Sequence, residues 1–215
     1  MSLPELKVLY ADDALLVLDK PAGLLSVPGR GEEKQDCLSA RAQYLYPDAL
    51  VVHRLDMATS GVIILALGIA AQRLLNHAFA VRAVTKRYIA VVEGHLASQP
   101  SSWGVIDLPI IVDWPNRPRR MIDHQLGKPS ETRWRVLSHN ALDKTTRIEL
   151  EPVTGRSHQL RVHLLALGYP IVGDALYGNQ RGLATTDRLL LHARSIELNH
   201  PMTHQPMCFL SPECF

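Results

Sequence analysis

Apolar and polar side chains follow one another along much of this chain in the pattern of β-strands. Two short apolar runs, residues 8–10 and 14–18, flank a pair of aspartates and predict a β-hairpin. Residues 132–137 and 145–150 place polar and apolar side chains in turn, which is typical of half-buried antiparallel strands. Further strands are predicted at 50–52, 62–67, 86–92, 189–198 and 207–210.

Helical spacing is limited to three segments. Asp36 is expected to be the N-cap of a helix that runs to about Tyr44. Ser157 is expected to cap a later helix that ends at Gly168. The helix between them is predicted from alanines and leucines that recur every three or four positions, namely Ala71, Leu74, Leu75 and Ala78.

Many strands with few helices between them predict an α+β fold. We expect a mixed, mostly antiparallel central sheet with flanking helices and loops. No internal repeat and no low-complexity linker interrupts the sequence. Residues 1–215 are therefore expected to form a single domain.

Composition excludes several classes of protein. Of the 215 residues, 47% are hydrophobic and 20% are charged, as in an ordinary globular protein. The three cysteines form no C-x-x-C pair, which argues against a disulfide framework and against a zinc site. The longest nearly apolar run, residues 61–71, is shorter than the roughly 20 residues of a membrane helix. Residues 1–5 lack the pattern of a signal peptide, so we expect a cytoplasmic protein.

The net charge is only +2, so local clusters must hold any anionic partner. Arg117, Arg119 and Arg120 form such a cluster within residues 113–129, which are predicted to be one long surface loop. The loop could grip phosphates, or it could be a solvated basic loop without a partner.

One carboxylate stands between two predicted strands. His53-Arg54-Leu55-Asp56 follows residues 50–52, and Thr59-Ser60-Gly61 leads into residues 62–67. A carboxylate on a loop that two strands hold can be a nucleophile or a base of fixed geometry. The alternative is a strand-end turn in which Asp56 caps its own backbone.

Two further segments carry reactive types of side chain. Lys86-Arg87-Tyr88 opens a predicted strand, where a tyrosine is most often a core aromatic. Residues 154–163 lead into a predicted helix that carries His158, Arg161 and His163. Unless it is a simple surface residue, Arg161 indicates an anionic neighbour, because a cation near a helix N-terminus opposes the macrodipole. The two histidines lie five residues apart, and no metal site is expected.

In this order, the segments around Asp56, Tyr88 and Arg161 resemble the RluA-type family of pseudouridine synthases. Residues 13–28 resemble the first motif of that family, so the likeness spans nearly the whole chain. Residues 26–30 and 113–118 resemble the compact members that act on both tRNA and large-subunit ribosomal RNA. The S4-like RNA-binding domain that many members carry is not expected here.

The resemblance implies an isomerase that converts a specific uridine to pseudouridine in structured stem-loop RNA. The expected substrates are a tRNA anticodon stem-loop, 23S ribosomal RNA, or both. The reaction conserves atoms and involves no redox step, so no cofactor and no metal is expected. No protein partner is implied, and we expect a monomer.

By this resemblance Asp56 is the catalytic residue, which attacks the ribose or base or drives loss of the C2′ proton. Arg161 would pair with it and offset the desolvation of its charge. Tyr88 would stack on the uracil and move a proton, and Arg54 would enter the space that the flipped base leaves. Weaker RNA contacts are expected from two histidines and four arginines, namely His53, His158, Arg117, Arg119, Arg120 and Arg156.

Two other functions remain open from the residues alone. A hydrolase of a glycosidic bond would need a second carboxylate, for which Asp19, Glu93 and Asp174 are the candidates. A non-catalytic RNA-binding module would not need Asp56, Tyr88 and Arg161 together. Release of free uracil would identify the hydrolase, whereas an isomerase leaves the mass of the RNA unchanged.

Overall fold

The computed structural model describes residues 6–97 and 103–215. The expectation for residues 1–5 therefore lies outside the described residues. In chain order the strands are β1 (Lys7–Ala11), β2 (Leu15–Lys20), β3 (Ala49–Val51), β4 (Ser60–Leu67), β5 (Thr85–Glu93), β6 (Gly104–Asp107), β7 (Ile110–Val112), β8 (Arg120–Ile122), β9 (Glu131–Asn140), β10 (Thr145–Pro152), β11 (Leu191–Asn199) and β12 (Pro206–Leu210). The helices are α1 (Leu38–Leu45), α2 (Ile69–Ala80), α3 (Gln159–Ala166) and α4 (Gln180–Thr185).

The α+β prediction is confirmed, with strands that pair mostly antiparallel and few helices. The chain divides into two compact units. The first comprises the chain up to Lys86 together with Ala193–Cys214, and the second comprises Arg87–His192 together with Phe215. Within the described ranges, no helix combines the length and the apolar character needed to cross a membrane.

The first unit is built on the antiparallel pairs β1–β2, β2–β4, β3–β4 and β11–β12. The predicted hairpin is confirmed as β1 and β2. The core of this first unit includes Leu15, Val17, Ile64 and Leu75, each at most 1% exposed. Burial of each such side chain stabilises the fold by about 1.5–3 kcal/mol.

Helix α2 is the amphipathic helix that the apolar spacing predicted. Ala71 and Leu75 are buried as expected, but Leu74 is 44% exposed. Consecutive helical residues point about 100° apart, so the narrow stripe through Ala71 and Leu75 leaves Leu74 at its edge. The assignment of Leu74 to the buried face was therefore wrong.

The second unit is built on the antiparallel order β5–β10–β9–β6. Strand β10 buries every second residue, as the alternating pattern predicted. Residues 113–129 are not one long loop. Strands β7 and β8 pair as a two-stranded ribbon, and the Asp113 N–H donates to the Arg119 carbonyl at 3.1 Å to close its tip. The prolines and arginines of this segment had hidden the β-branched pairing of Ile110 with Ile122.

Asp36 is not the N-cap that the sequence predicted. Helix α1 begins at Leu38 after Cys37, without a side-chain cap. Asp36 instead accepts two hydrogen bonds from the Arg41 guanidinium, at 2.7 Å each. An acidic residue just ahead of a helix can therefore serve a side chain of the first turn in place of its backbone.

Ser157 is also not a cap. Helix α3 begins at Gln159, and His158 occupies the N-cap position in the left-handed conformation, with φ 58°. The Gln159 N–H, which a cap at Ser157 would bind, donates instead to the Arg156 carbonyl at 3.1 Å. Gly168, with φ 85°, follows the end of the helix as predicted.

Candidate active site

Hydrogen bonds at His53, Leu55 and Thr59 fix the loop that carries Asp56 in the first unit. Ile64 donates its N–H to His53 Nε2 at 2.9 Å. The Ser26 hydroxyl donates to the Leu55 carbonyl at 2.7 Å and accepts the Leu55 N–H at 3.1 Å. The Thr59 N–H donates to the Asp56 carbonyl at 3.1 Å. Within this loop, Arg54 is exposed and Asp56 is half-buried.

Lys20 anchors the same loop at Met57 from within the core. Its side chain is 0% exposed, and its Nζ donates to the carbonyls of Pro21, Leu24 and Met57 at 2.9, 2.8 and 3.1 Å. The Gly23 N–H donates to the Met57 carbonyl as well, at 2.9 Å. The opening motif therefore holds the Asp56 loop through one buried ammonium group.

We expect Lys20→Met to lower the free energy of unfolding by about 2–4 kcal/mol, since three carbonyls lose a charged donor in a buried place. Thermal and urea unfolding would measure the loss. Lys7→Met is the matched control, because the Lys7 side chain is 64% exposed in its ion pair with Asp19 and should change stability little. Equal stability of the two variants would contradict the role of Lys20 as an anchor.

The turn that follows Asp56 requires a glycine at position 61. The φ of Gly61 is 111°, a conformation that residues with a side chain rarely adopt. A Cβ at this position would lie 2.2 Å from the Ala193 carbonyl oxygen. Strand β4 can therefore begin beside β11 only with glycine at position 61.

His53 shapes the loop from inside. Its ring stacks on Phe79, with centroids 4.7 Å apart, and its Nε2 accepts the Ile64 N–H. Burial, with a smaller contribution from the charge of Lys86, lowers the pKa of His53 to about 3. These contacts favour the loop-shaping role over the RNA contact that the sequence suggested.

This burial predicts a pH dependence of stability. Folded His53 stays neutral, whereas His53 of the unfolded chain binds a proton below pH 6.5. The contribution of neutral His53 to the free energy of unfolding is therefore complete above pH 6.5 and is lost as the pH falls toward 3. At pH 5 the loss is about 2 kcal/mol. In His53→Gln an amide oxygen can still accept the Ile64 N–H but does not titrate. Urea unfolding should show that the free energy of unfolding falls less between pH 7 and pH 5 in His53→Gln than in the wild type. An equal fall in both proteins would contradict the assignment of the pH dependence to His53.

Tyr88 lies in the second unit, on β5. It pairs in register with Leu150 of β10 and is half-buried. The flanking Ile89 is 4% exposed and Ala90 is 0% exposed, so the strand itself is firmly packed. This position confirms the predicted strand and leaves the role of Tyr88 in catalysis a prediction.

Arg161 is buried in helix α3 and binds a carboxylate of the same unit. Its Nε and Nη2 donate to the two carboxylate oxygens of Asp174, at 2.7 Å each. Arg161 is 5% exposed, and the Asp174 side chain is 0% exposed. Asp174 Oδ1 also accepts the N–H groups of Leu176 and Tyr177, at 3.0 and 3.1 Å. The expected anionic neighbour of Arg161 therefore includes Asp174, and the predicted pairing with Asp56 stays a prediction.

The remaining predicted RNA contacts differ in how exposed they are. Arg117 and Arg156 are exposed, and the Arg117 guanidinium lies 4.3 Å from the ring centre of Trp114, which is itself 63% exposed. Arg119 and Arg120 are half-buried. His158 Nδ1 lies 2.7 Å from the Tyr177 hydroxyl, so this histidine serves an internal hydrogen bond.

The basic residues that follow on β9 belong to ion pairs. Arg133 binds Glu151 at 3.2 Å, and Arg135 binds Glu149 at 2.5 Å, both across the β9–β10 pair. Cross-strand charge pairs of this kind stabilise a sheet. Arg133 and Arg135 therefore stabilise this sheet.

Each carboxylate proposed as a partner for a hydrolase has a contact of its own. Asp19 pairs with Lys7, Asp174 with Arg161, and Glu93 accepts a hydrogen bond from the Asn179 side chain. Among the described residues, no group of three or more histidines, cysteines or carboxylates is arranged to hold a metal ion. These contacts disfavour the hydrolase, which would need a second carboxylate beside the sugar.

Sequence reasoning did not predict the supporting contacts of four residues, namely Lys20, Ser26, Asp174 and Tyr177. Lys20 follows Asp19 at the end of strand β2, and no local pattern indicates its contact with Met57, 37 residues away. Asp174 was considered only as a second carboxylate for a hydrolase, although an aspartate directly after a glycine is itself a turn signal. Nothing in the sequence indicated the partners of Ser26 and Tyr177, which are distant in the chain.

Comparison with known proteins agrees with this arrangement. The family described as RNA pseudouridylate synthase matches residues 14–166. The chain is 50% identical to the dual-specificity RNA pseudouridine synthase RluA of Escherichia coli strain K12, over 99% of this chain and 95% of that protein. The enzyme of the same name from Yersinia pestis is 50% identical over 94% of this chain and 96% of its own.

Two solved structures resemble the fold. The human RNA pseudouridylate synthase domain containing 1 superposes with a TM-score of 0.80 at 31% identity, over 100% of this chain and 86% of that one. The human RNA pseudouridylate synthase domain containing 4 superposes with a TM-score of 0.73 at 27% identity, over 96% of this chain and 88% of that one. With sequence matches that span nearly all of both chains, this protein belongs to the RNA pseudouridylate synthase family and to its RluA type.

Proposed function

We propose that this enzyme isomerises one uridine of a structured stem-loop to pseudouridine, in tRNA and in large-subunit ribosomal RNA. The observation that carries the proposal is the near-complete match to relatives named dual-specificity RNA pseudouridine synthases. The expectation of two RNA substrates, drawn above from residues 26–30 and 113–118, agrees with that name.

Asp56 is the residue that we propose for the chemistry. The C1′–N1 bond of uridine breaks, the uracil turns, a C1′–C5 bond forms, and the C5 proton leaves while N1 gains one. A carboxylate for this reaction must be held rigidly. The anchors at His53, Leu55, Met57 and Thr59 supply that rigidity, because they fix the backbone on both sides of Asp56.

The target base must leave its stack before Asp56 can reach the sugar, at a cost of a few kcal/mol. We propose that Arg54 compensates for part of this cost. It lies two residues before Asp56 and is exposed, so its guanidinium is free to stack in the vacated space or to contact a phosphate. Tyr88 is proposed to stack on the flipped uracil.

The tip of the β7–β8 ribbon is the proposed RNA contact of the second unit. Trp114 and Arg117 form an exposed stacked pair, and Arg119 lies in the same tip. Aromatic rings and guanidinium groups bind single-stranded bases by stacking, and arginines bind phosphates. Arg156 is exposed and is proposed as a further phosphate contact.

We further propose that the chain acts as a single catalytic domain, as a monomer, and in the cytoplasm. Bacterial relatives of nearly equal length are named for the same type of activity, which supports a single catalytic domain that acts in the cytoplasm.

The test is conversion of uridine in defined stem-loops. Transcripts of tRNA anticodon stem-loops and of helices from large-subunit ribosomal RNA would be incubated with the enzyme, treated with a carbodiimide and read by reverse transcription. We expect one new carbodiimide-dependent stop in at least one RNA of each class, with no free uracil. Stops in one class alone would restrict the proposal to that class, and release of uracil would overturn it.

A further inference from the structure

Tyr177 connects three functional segments of the second unit. It is 4% exposed, and its hydroxyl lies 2.7 Å from the Arg120 backbone N and 2.7 Å from His158 Nδ1. Burial raises the pKa of Tyr177, so the hydroxyl keeps its proton. Since the Arg120 N–H donates to it, the hydroxyl can give its own proton to His158 Nδ1.

The ring of Tyr177 lies between two cations. The guanidinium carbon of Arg161 is 5.0 Å from the ring centre, and that of Arg119 is 5.4 Å away. Both distances fall within the range of cation–π attraction. Asp174 ties the two sides together, because the carboxylate that binds Arg161 also accepts the Tyr177 N–H.

The contact with Arg120 sets the register of the basic tip. Arg120 is the first residue of β8, and its pairing with Val112 closes the ribbon that carries Arg117 and Arg119. A shift of Arg120 would therefore displace the whole tip. The fixed end of this linkage is helix α3, whose Gln159 donates to the Glu131 carbonyl at 2.8 Å and whose His163 binds Thr132 at 2.9 Å.

We propose that Tyr177 is a positioning residue that holds the β7–β8 tip in register with Arg161, so that the tip grips RNA phosphates only in the productive alignment. This inference rests on the proposed RNA contact at the tip. It predicts that the hydroxyl governs affinity for RNA, whereas the ring, which supports Arg161, governs the rate.

Tyr177→Phe tests this split, because it keeps the ring and removes the hydroxyl. We expect the KM for a stem-loop substrate to rise about tenfold with kcat unchanged. The slope of log Kd against log salt should fall by about one, as for the loss of one phosphate contact. Tyr169→Phe is the matched control. Its hydroxyl donates to the His95 carbonyl at 3.5 Å in the same unit, and we expect no change in KM or in the salt slope.

Arg119→Ala separates the inference from the RNA contact on which it rests. The single variant should show the same loss of salt slope. The double variant Tyr177→Phe/Arg119→Ala should bind RNA no more weakly than either single variant, because both substitutions remove the same phosphate contact. If Arg119→Ala leaves the slope unchanged, the RNA contact itself is wrong and the inference falls with it. If Arg119→Ala acts but Tyr177→Phe leaves KM and slope unchanged, or acts additively, only the inference is overturned. A Tyr177→Phe chain that unfolds at 25 °C would overturn it too, since the hydroxyl would then serve the fold as a whole.

Discussion

Asp56→Asn is expected to bind the stem-loop substrate with a Kd within severalfold of the wild type and to form pseudouridine more than about 1000-fold more slowly. The amide keeps the size of the carboxylate, and the anchors at Leu55 and Met57 do not involve the Asp56 side chain. Single-turnover conversion with excess enzyme would measure the rate, and fluorescence anisotropy would measure binding.

Asp19→Asn is the matched control for this experiment. Asp19 lies in the same unit and pairs with the exposed Lys7, so the same chemical change should leave the rate at the wild-type level. Measurable multiple turnover by Asp56→Asn would remove Asp56 from the centre of the reaction. Loss of binding together with the rate would assign it to RNA recognition.

Arg161→Met is expected to lower the rate by about 100-fold or more and the free energy of unfolding by about 3–5 kcal/mol. The loss of stability arises because the Asp174 carboxylate is 0% exposed and would lose a bidentate partner. The affinity for RNA should change far less than the rate. Arg194→Met is the control for stability, since Arg194 is 43% exposed in its pair with Glu213 and should cost less than about 1 kcal/mol.

The double variant Arg161→Met/Asp174→Asn separates structural support from catalysis. It removes the buried carboxylate charge together with its partner, while the Asn oxygen can still accept the N–H groups of Leu176 and Tyr177. We expect most of the lost stability to return and the rate to stay low. Recovery of both would show that Arg161 serves only the fold, and the catalytic role assigned to it by resemblance would be wrong.

The strands were predictable because their signals are local. The alternation at 145–150 and the apolar run at 62–67 depend on which face of a strand is buried, and both appear in β10 and β4. The loop of Asp56 was predictable for the same reason, since it is defined by the strands on either side. Its anchors were not, because Lys20 and Ser26 reach it from more than 25 residues away.

The errors at helix ends share one physical cause. A cap depends on which of several nearby acceptors reaches the free backbone N–H groups, and spacing alone does not decide this. At α3, the Gln159 N–H donates to the Arg156 carbonyl and His158 adopts a left-handed conformation, so Ser157 has no capping role. The buried pair of Arg161 and Asp174 was likewise hidden, because the sequence suggested an anion but could not identify which one.

The exchange of bonds at the target uridine tests the central claim most directly. A stem-loop labelled with tritium at C5 of its uridines would be treated with excess enzyme and assayed for released tritium and for free uracil. An isomerase that joins C5 to C1′ predicts one equivalent of tritium released per RNA, no uracil, and no release by Asp56→Asn. Free uracil without a retained base, or tritium release by Asp56→Asn at the wild-type rate, would contradict the account.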